Sequence, residues 1–229
     1  MISLAIDTST KNCSIGLFDG SILIDSINYK GEGYIHSEKL FDFILELCER
    51  NEIIISTLKH FVISNGPGSY TGLRIGASAV KGMAYANKGM VYCISSLEVL
   101  YWQGINEAKD FNCSIIATMI DARRDEVYLG LYDQSGRLIE EEKAVIIDES
   151  FFKRFNEKVL MIGDGASKFN EKYSHFSNYF WSKETINKVD YLGSIIETRI
   201  NKNSHDDLAY FEPNYIKSYH PGKKKKLFS

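Results

Sequence analysis

The first half of this sequence repeats in the second half, and this repeat limits the possible folds more than any other feature. Ile6-Asp7 returns as Ile120-Asp121, and residues 15–19 return as residues 129–133 with the same polar and apolar order. Residues 6 and 120, like residues 15 and 129, are 114 positions apart, so strand, turn and strand keep one spacing. A constant spacing over successive elements indicates an internal duplication.

A third match supports the duplication. Residues 63–66 and 162–165 both begin with isoleucine and end with glycine, at a spacing of 99. Because this spacing is shorter, the second half is expected to have a shorter helix between its third and fourth strands. The two halves are predicted to form similar lobes that face each other across a cleft.

Apolar periodicity places the elements of each lobe. Strands are predicted at residues 2–8, 13–18 and 22–29, and Asp19-Gly20 is a strong hairpin signal, so these strands form an antiparallel meander. The other predicted elements are helices at residues 37–50, 71–87, 97–103, 151–155 and 191–200, strands at residues 62–64, 90–94 and 159–162, and an extended anchor at residues 211–217. The predicted fold class is α/β, with two duplicated lobes at residues 1–104 and 105–229, each a mixed sheet with a three-strand meander and flanking helices.

A glycine-rich loop separates the fourth strand from the second helix. Asn65-Gly66-Pro67-Gly68 stops the strand abruptly, Ser69 or Thr71 is expected to cap the helix, and Gly89 is expected to terminate it. The glycine spacing matches neither a Walker loop nor a dinucleotide fingerprint, and no lysine follows to hold a phosphate. Phosphate binding is therefore not favoured at this loop.

Two helices have more apolar or small surface than packing on one sheet requires. Apolar side chains cover about 200° of the helix at residues 37–50, whereas packing on a sheet needs about 100°. In the next helix Gly72, Gly76, Ala79 and Met83 lie three or four residues apart, although an internal glycine costs about 1 kcal/mol relative to alanine. Each surface either packs inside its own lobe or contacts a partner, and the residues alone leave both alternatives open.

Composition excludes several classes of protein. The net charge of −3 gives no general attraction to nucleic acid or to anionic membranes. The four cysteines show no Cys-x-x-Cys spacing, which fits a reducing compartment. No basic segment precedes the first apolar residues, and no run reaches the ~20 residues needed to span a bilayer. We therefore predict a soluble cytoplasmic protein without a membrane partner.

No catalytic or metal-binding motif is evident. The five histidines show no pair spaced by four residues, and His36 is expected to be a cap or a surface residue. No Gly-x-Ser-x-Gly elbow or cysteine–histidine pairing is present. Asp7 and Asp121 end their strands, where they either cap the adjacent turns or form a Mg²⁺-binding pair. Catalytic and metal-binding residues are accordingly predicted to be none.

Five sequence blocks resemble one protein family. They are Ala5 to Ser9, His36-Ser37-Glu38, Gly66 to Gly76 with Gly-Pro-Gly-Ser-Tyr-Thr-Gly-Leu-Arg, Ser95 to Glu98, and Ile120 to Tyr128. Their types and order resemble the bacterial TsaB (YeaZ) family, and the duplicated lobes resemble the actin, hexokinase and Hsp70 (ASKHA) superfold, whose lobes are RNase H-like. The blocks cover most of residues 1–130, whereas the second half matches more loosely.

The resemblance implies a role in forming threonylcarbamoyladenosine at position 37 of tRNAs that read codons starting with A. It implies a non-catalytic partner of the larger relative TsaD, with the ATPase TsaE joining the pair and tRNA contacted indirectly. ATP and Mg²⁺ are then used by the complex, and no cofactor is expected on this chain. The implied partner face, which could also form a homodimer, comprises His36, Glu38, Leu40, Phe41, Ile44, Leu45, Tyr70, Gly72, Leu73, Gly76, Ala79, Val80 and Met83.

The same superfold predicts a degenerate nucleotide cleft at Asp7, Thr8, Ser9, Asp121 and Arg123. In an ATPase of this superfold both first hairpins clasp the phosphates. The first turn, Thr8-Ser9-Thr10, would serve, whereas the second, which starts at Arg123, has no glycine or hydroxyl and brings carboxylates to the site. Two alternatives stay open, an ATP-dependent small-molecule kinase and a glycoprotease-like metalloenzyme. The lysine run that begins at Lys223 is a solvated tail or a weak RNA contact.

Overall fold

The computed structural model describes residues 1–31 and 36–217, without the side chain of His36. The lysine run that begins at Lys223 lies outside the described residues. The first sheet has the strand order β3-β2-β1-β4-β5, in which β1 to β3 are antiparallel and β4 and β5 continue parallel to β1. The predicted meander is thus confirmed. Its strands are β1 (Ile2–Asp7), β2 (Asn12–Asp19), β3 (Ile22–Lys30), β4 (His60–Ser64) and β5 (Met90–Ile94).

The second sheet repeats the first. Its order is β10-β9-β6-β7-β8, with β6 to β8 antiparallel and with β9 and β10 parallel to β6. This match confirms the predicted duplication and the predicted α/β fold of two lobes. The strands are β6 (Ile115–Asp121), β7 (Glu126–Asp133), β8 (Leu138–Ile146), β9 (Val159–Ile162) and β10 (Tyr179–Trp181).

Seven α-helices surround the two sheets in the described part of the chain. They are α1 (His36–Arg50), α2 (Tyr70–Asn87), α3 (Ser96–Asp110), α4 (Glu149–Phe152), α5 (Asp164–Ser167), α6 (Asn170–Tyr173) and α7 (Gly193–Asn201). Between β8 and β9 lies only the four-residue α4, which confirms the predicted shorter helix there. None of the helices in residues 1–31 and 36–217 is long and apolar enough to cross a membrane.

Helix α2 begins as predicted and ends differently. Ser69 is its N-cap, and the Ser69 hydroxyl accepts a hydrogen bond from the Gly72 amide. At the other end Lys88, not Gly89, adopts the left-handed conformation, with φ 50°. Gly89 instead makes room for β4, because a Cβ there would lie 2.7 Å from the Phe61 ring. Gly89, the predicted terminator, therefore follows the left-handed residue, and its amide donates to the Ala84 carbonyl oxygen at 2.8 Å.

Helix α3 lies between the two sheets. Val99 packs on the first sheet, whereas Leu97 and Leu100 pack on the second. The helix runs to Asp110, well past residue 103 where it was predicted to end, so the predicted division at residues 104 and 105 falls inside it. Gly104 lies in this helix at the contact with the second sheet, where a Cβ would be 2.9 Å from the Cδ1 of Ile162.

The C-terminal part of the chain returns to the first sheet. Leu192 and Ile196 pack on the face of that sheet that carries Ala5, together with α3. Asp206 forms an isolated bridge with Val91 at the edge strand β5, and Phe211 joins the core under α1 and α2. Residues 105–229 were assigned to the second lobe, but their last described part packs on the first. The division into two domains stays a prediction.

Candidate functional site

A cleft opens where the first hairpins of the two lobes face each other. Its volume is about 980 Å³. The loop before α2 and the last described residues also line it. The lining residues are Ser9, Thr10, Lys11, Pro67, Gly68, Ser69, Tyr70, Ile120, Asp121, Ala122, Arg123, Arg124, Glu126, Tyr128, Asp164, Asn214, Tyr215, Ile216 and Lys217. Of the five residues predicted for a degenerate nucleotide cleft, Ser9, Asp121 and Arg123 line this cavity, whereas Asp7 and Thr8 do not.

Asp7 is fully buried behind the cleft. Its Oδ1 accepts hydrogen bonds from the Ser9 amide at 2.8 Å and the Ser9 hydroxyl at 2.7 Å, and its Oδ2 accepts from the Asn187 amide group at 3.3 Å. Burial raises the pKa of the Asp7 carboxyl, and these hydrogen bonds oppose that shift. The carboxylate is thus an internal cap of the first turn, the first of the two interpretations that the sequence left open.

Thr8 also points into the protein. Its hydroxyl donates to the Gly72 carbonyl oxygen at 2.8 Å, inside α2. Since the Ser9 amide is bonded to Asp7 and the Thr8 hydroxyl to Gly72, these two groups of the first turn are already hydrogen-bonded within the protein. The sequence-based expectation that this turn would serve a phosphate is not supported by this arrangement.

The second turn is held in a similar way. Asp121 accepts a hydrogen bond from the Arg123 amide at 2.7 Å, and its own amide donates to Asp164 Oδ1 at 2.8 Å. Lys168 forms an ion pair with Asp121 at 2.8 Å. Arg123 and Arg124 have φ values of 72° and 54°, a left-handed conformation that is uncommon for residues with a Cβ. Both first turns are therefore fixed by the aspartate that ends the preceding strand.

The glycine-rich loop is packed against the first turn. The Ser69 amide donates to the Ser9 carbonyl oxygen at 2.6 Å, and a Cβ at Gly68 would lie 2.2 Å from that same oxygen. Gly68 is therefore required for a close backbone contact within the lobe. This contact accounts for the glycine at position 68 without any bound phosphate. It agrees with the sequence-based interpretation that phosphate binding is not favoured at this loop.

The predicted partner face divides into two groups. Leu40, Ile44, Gly72, Leu73, Gly76 and Val80 are buried in the first lobe, as are Ala79 and its neighbour Ala77. A Cβ at Gly76 would lie 2.4 Å from Thr8 Oγ1 and 3.4 Å from Ile63 Cδ1, so Gly76 packs against the first turn and β4 inside the lobe. Packing inside the lobe, one of the two alternatives left open, thus accounts for Gly72 and Gly76.

The other predicted residues lie at the surface. Phe41 is 54% exposed and Leu45 is 48% exposed on the outer side of α1. Glu38 is exposed, and Tyr70 and Met83 are half-buried on α2. The side chain of His36 lies outside the described part of the structure. These exposed apolar side chains make the α1–α2 face suitable for a protein contact.

A groove of about 580 Å³ runs between α1 and α2. Its lining residues are Ser37, Phe41, Tyr70, Thr71, Arg74, Ile75, Ser78 and Ala79. The guanidinium of Arg74 lies 4.0 Å from the centre of the Tyr70 ring, a cation–π contact at one end of the groove. Thr71, Arg74, Ile75 and Ser78 were not among the residues predicted for the partner face. Their spacing of three and four residues could have placed them on one side of α2.

Within residues 1–31 and 36–217, no group of three or more histidine, cysteine, aspartate or glutamate side chains is placed to hold a metal ion. The three buried cysteines, Cys13, Cys48 and Cys113, have pKa values raised by burial, which keeps the thiols neutral. The expectation that this chain binds no metal or cofactor stays a prediction.

Comparison with known proteins gives one consistent result. Residues 34–223 match the family model described as "TsaD: tRNA N6-adenosine threonylcarbamoyltransferase". The tRNA threonylcarbamoyladenosine biosynthesis protein TsaB of Bacillus subtilis (strain 168) is 31% identical over 73% of this chain and 72% of its own length. The TsaB of Buchnera aphidicola subsp. Schizaphis graminum is 27% identical over 76% of this chain and 83% of its own.

The fold also matches a solved structure. YeaZ from Pseudomonas aeruginosa superimposes with a TM-score of 0.79 over 93% of this chain and 99% of its own, at 24% sequence identity. At that identity the likeness concerns the fold alone. It supports the arrangement of two actin-like lobes.

Proposed function

Because the chain belongs to the TsaB family of tRNA threonylcarbamoyladenosine biosynthesis proteins, we propose that it is a non-catalytic subunit of the complex that makes this nucleoside at tRNA position 37. Its task is to bind and support the larger relative TsaD, which carries out the transfer, and TsaE joins the pair. ATP and Mg²⁺ act in the complex, and tRNA is contacted indirectly. The location is cytoplasmic.

The observation that carries this proposal is the apolar α1–α2 face. Phe41 and Leu45 are large side chains left half-exposed on a helix whose opposite side is buried in the core. An interface with such a centre and a polar rim is typical of protein contacts, and Glu38 and Arg74 supply charge at its edge. The groove beside Phe41 is open enough to receive side chains from a partner helix. The same face could pair two copies of this chain when TsaD is absent.

The hairpins support the non-catalytic part of the proposal. A kinase of this superfold needs free amides and hydroxyls in both turns, but Asp7 and Asp121 accept hydrogen bonds from the amides of Ser9 and Arg123. The Asp7 carboxylate is buried and does not line the cleft. These contacts disfavour the kinase alternative. The metalloenzyme alternative has no candidate ligand cluster among the described residues.

Reconstitution of the modification tests the proposal. Purified TsaC, TsaD and TsaE from the same source would be incubated with unmodified tRNA, threonine, a carbonate source and Mg-ATP, with and without this chain. Threonylcarbamoyladenosine would be quantified by mass spectrometry of digested tRNA. We expect modification to require both this chain and TsaD, and no modification with this chain in place of TsaD.

Two results would contradict the proposal. Equal yield without this chain would show that it is not a subunit, and product formed without TsaD would show that it is itself catalytic. The Phe41→Glu variant serves as the test of the docking face, since its charge would be buried in the contact. The matched control is Tyr85→Glu, which changes a residue of α2 that is 80% exposed and lines neither the groove nor the cleft.

A further inference from the structure

The last four described residues, 214–217, form a strap that crosses from one lobe to the other. At its start the Asn214 amide donates to the Asn65 carbonyl oxygen at 2.7 Å, which fixes the strap to the loop after β4. Gly66 has a φ of 115°, and a Cβ there would lie 2.5 Å from the Asn214 carbonyl oxygen. The loop is therefore shaped to receive this segment.

The middle of the strap lies on helix α2. The rings of Tyr215 and Tyr70 are 5.0 Å apart, and the Tyr215 hydroxyl accepts a hydrogen bond from Arg74 Nε at 3.1 Å. Arg74 also lies over the Tyr70 ring, so the three side chains form one stack at the end of the α1–α2 groove. Tyr70 lines both the groove and the cleft, whereas Tyr215 lines the cleft.

The end of the strap holds the second lobe. Lys217 forms an ion pair with Glu126, the first residue of β7, and its ammonium group lies 5.9 Å from the centre of the Tyr128 ring. Glu126 closes the second turn, since its amide donates to the Arg123 carbonyl oxygen at 3.3 Å. The strap thus joins the N-terminal end of α2 in the first lobe to the second hairpin across the mouth of the cleft.

We infer that this strap is a latch that couples the α1–α2 face to the second hairpin. A partner in the groove that contacts Tyr70 or Arg74 changes the contacts that these side chains make with Tyr215. Because Lys217, two residues further on, is paired with Glu126, the change alters the stability of the second hairpin. The inference rests on the proposed function for the identity of that partner, TsaD. The latch itself depends on contacts within this chain alone.

Hydrogen exchange on the isolated chain tests the latch. Tyr215→Ala removes the ring and the hydroxyl that anchor the strap to α2. We expect the amides of Ala122 and Glu126 in the second turn to exchange about fivefold faster in this variant, because the turn opens locally more often. Tyr210→Ala is the matched control, since Tyr210 is 83% exposed in the same C-terminal segment and should leave exchange unchanged. Equal exchange in wild type and Tyr215→Ala would overturn the latch.

A charge exchange tests the second anchor. Lys217→Glu and Glu126→Lys should each accelerate exchange of the second turn, and the double variant should restore the wild-type rate because it rebuilds the ion pair in reverse. A double variant that exchanges as fast as the singles would contradict the assigned contact.

Addition of TsaD tests the coupling. TsaD is added at concentrations that saturate both wild type and Tyr215→Ala. We expect bound TsaD to slow hydrogen exchange of the second turn in wild type and to leave it unchanged in Tyr215→Ala. TsaD that binds and alters the turn equally in both proteins would overturn the coupling. If TsaD does not bind wild type at all, the proposed function and the coupling both fail, whereas the exchange of the isolated chain still decides whether the latch exists.

Discussion

Gly76 in helix α2 lies so close to Thr8 at the end of β1 that a Cβ added to the glycine would be 2.4 Å from Thr8 Oγ1. The Thr8 hydroxyl cannot simply turn away, because it donates to the Gly72 carbonyl oxygen one turn earlier in the same helix. The pair therefore fixes α2 against the first turn of the first lobe. This contact sets the positions of both the cleft and the outer face of α2.

Gly76→Ala is expected to destabilise the protein. Alanine is preferred over glycine in a helix by about 1 kcal/mol, but overpacking at Thr8 costs about 1–3 kcal/mol. The net loss is up to about 2 kcal/mol, so we expect the thermal midpoint to fall by up to about 8 °C, measured by differential scanning fluorimetry. Gly82→Ala in the same helix is the control, since nothing lies within 4 Å of its added Cβ. It should raise the midpoint by about 2–4 °C.

The contact itself is tested by a third variant. Thr8→Ala removes the atom that the new methyl group would meet, but also the hydrogen bond to Gly72. The double variant should therefore lose less stability than the sum of the two single losses. Additive losses would contradict the contact as the cause.

Asp7→Ala is expected to cost about 3 kcal/mol of stability, because it leaves buried donors of Ser9 and Asn187 without an acceptor. Asp121→Ala is the matched change in the second lobe. Its partners are exposed to solvent, so its cost should stay below about 1 kcal/mol. Urea denaturation measures both. Equal losses of unfolding free energy in the two variants would contradict the role of Asp7 as an internal cap.

We expect the stability of the folded protein to depend on pH through the carboxyl group of Glu142. It lies on β8, where its carboxylate accepts hydrogen bonds from the Ser95 hydroxyl and, at 2.8 Å, from the Tyr132 hydroxyl. Burial raises the pKa of Glu142 above its ordinary value of 4.5, against the effect of these two hydrogen bonds, and nearby Glu98 adds to the rise. The folded protein therefore binds this proton more tightly than the unfolded chain does.

The stabilisation from this proton is complete below the unfolded pKa and is lost as pH rises through the folded pKa. Glu142→Gln cannot ionise, so its thermal midpoint relative to wild type should rise as the pH increases above the ordinary glutamate pKa of 4.5. The exposed neighbour Glu141→Gln is the control and should keep a constant difference. A constant difference for Glu142→Gln as well would contradict the burial as the source of the shift.

Mg-ATP is expected to leave the thermal midpoint of the isolated chain unchanged. A ligand at 100 times its dissociation constant stabilises a protein by about 2.7 kcal/mol, which is several degrees for a chain of this length. The Ser9 amide, which a phosphate clasp would use, donates instead to Asp7. Titration with Mg²⁺ alone is the control. A rise of several degrees at millimolar Mg-ATP would favour the kinase alternative.

The duplicated hairpins could be predicted from sequence because they are local. Residues 6 and 15 fix a strand, a turn and a strand within about a dozen positions, and their copies keep the same spacing. This pattern predicted the strand bounds, but it did not predict that the pairing register differs between the two copies. Asp7 pairs with Ser14, whereas Asp121 pairs with Val127, so the second loop is one residue shorter between paired positions. Identical strand spacing does not reveal such a shift.

The features that the sequence did not predict depend on contacts between residues far apart in the chain. Gly76 was placed on the partner face by the family resemblance, and spacing alone cannot tell which side of α2 meets Thr8. Leu192 and Ile196 predict an amphipathic helix but do not specify that it packs on the first sheet. Helix α3 was predicted to end at residue 103, but it continues to Asp110 through Gly104, which allows close packing against Ile162. In each case the arrangement is decided by tertiary packing, which local sequence preference does not specify.

Direct binding of TsaD tests the central claim, that the α1–α2 face is the docking surface of this chain. Isothermal titration calorimetry would compare wild type, Leu45→Glu and the control Tyr85→Glu, after circular dichroism has shown that all three are folded. We expect wild type and Tyr85→Glu to bind alike and Leu45→Glu to bind at least about tenfold more weakly, because a glutamate would be buried without a partner. Undiminished binding by folded Leu45→Glu would contradict the account.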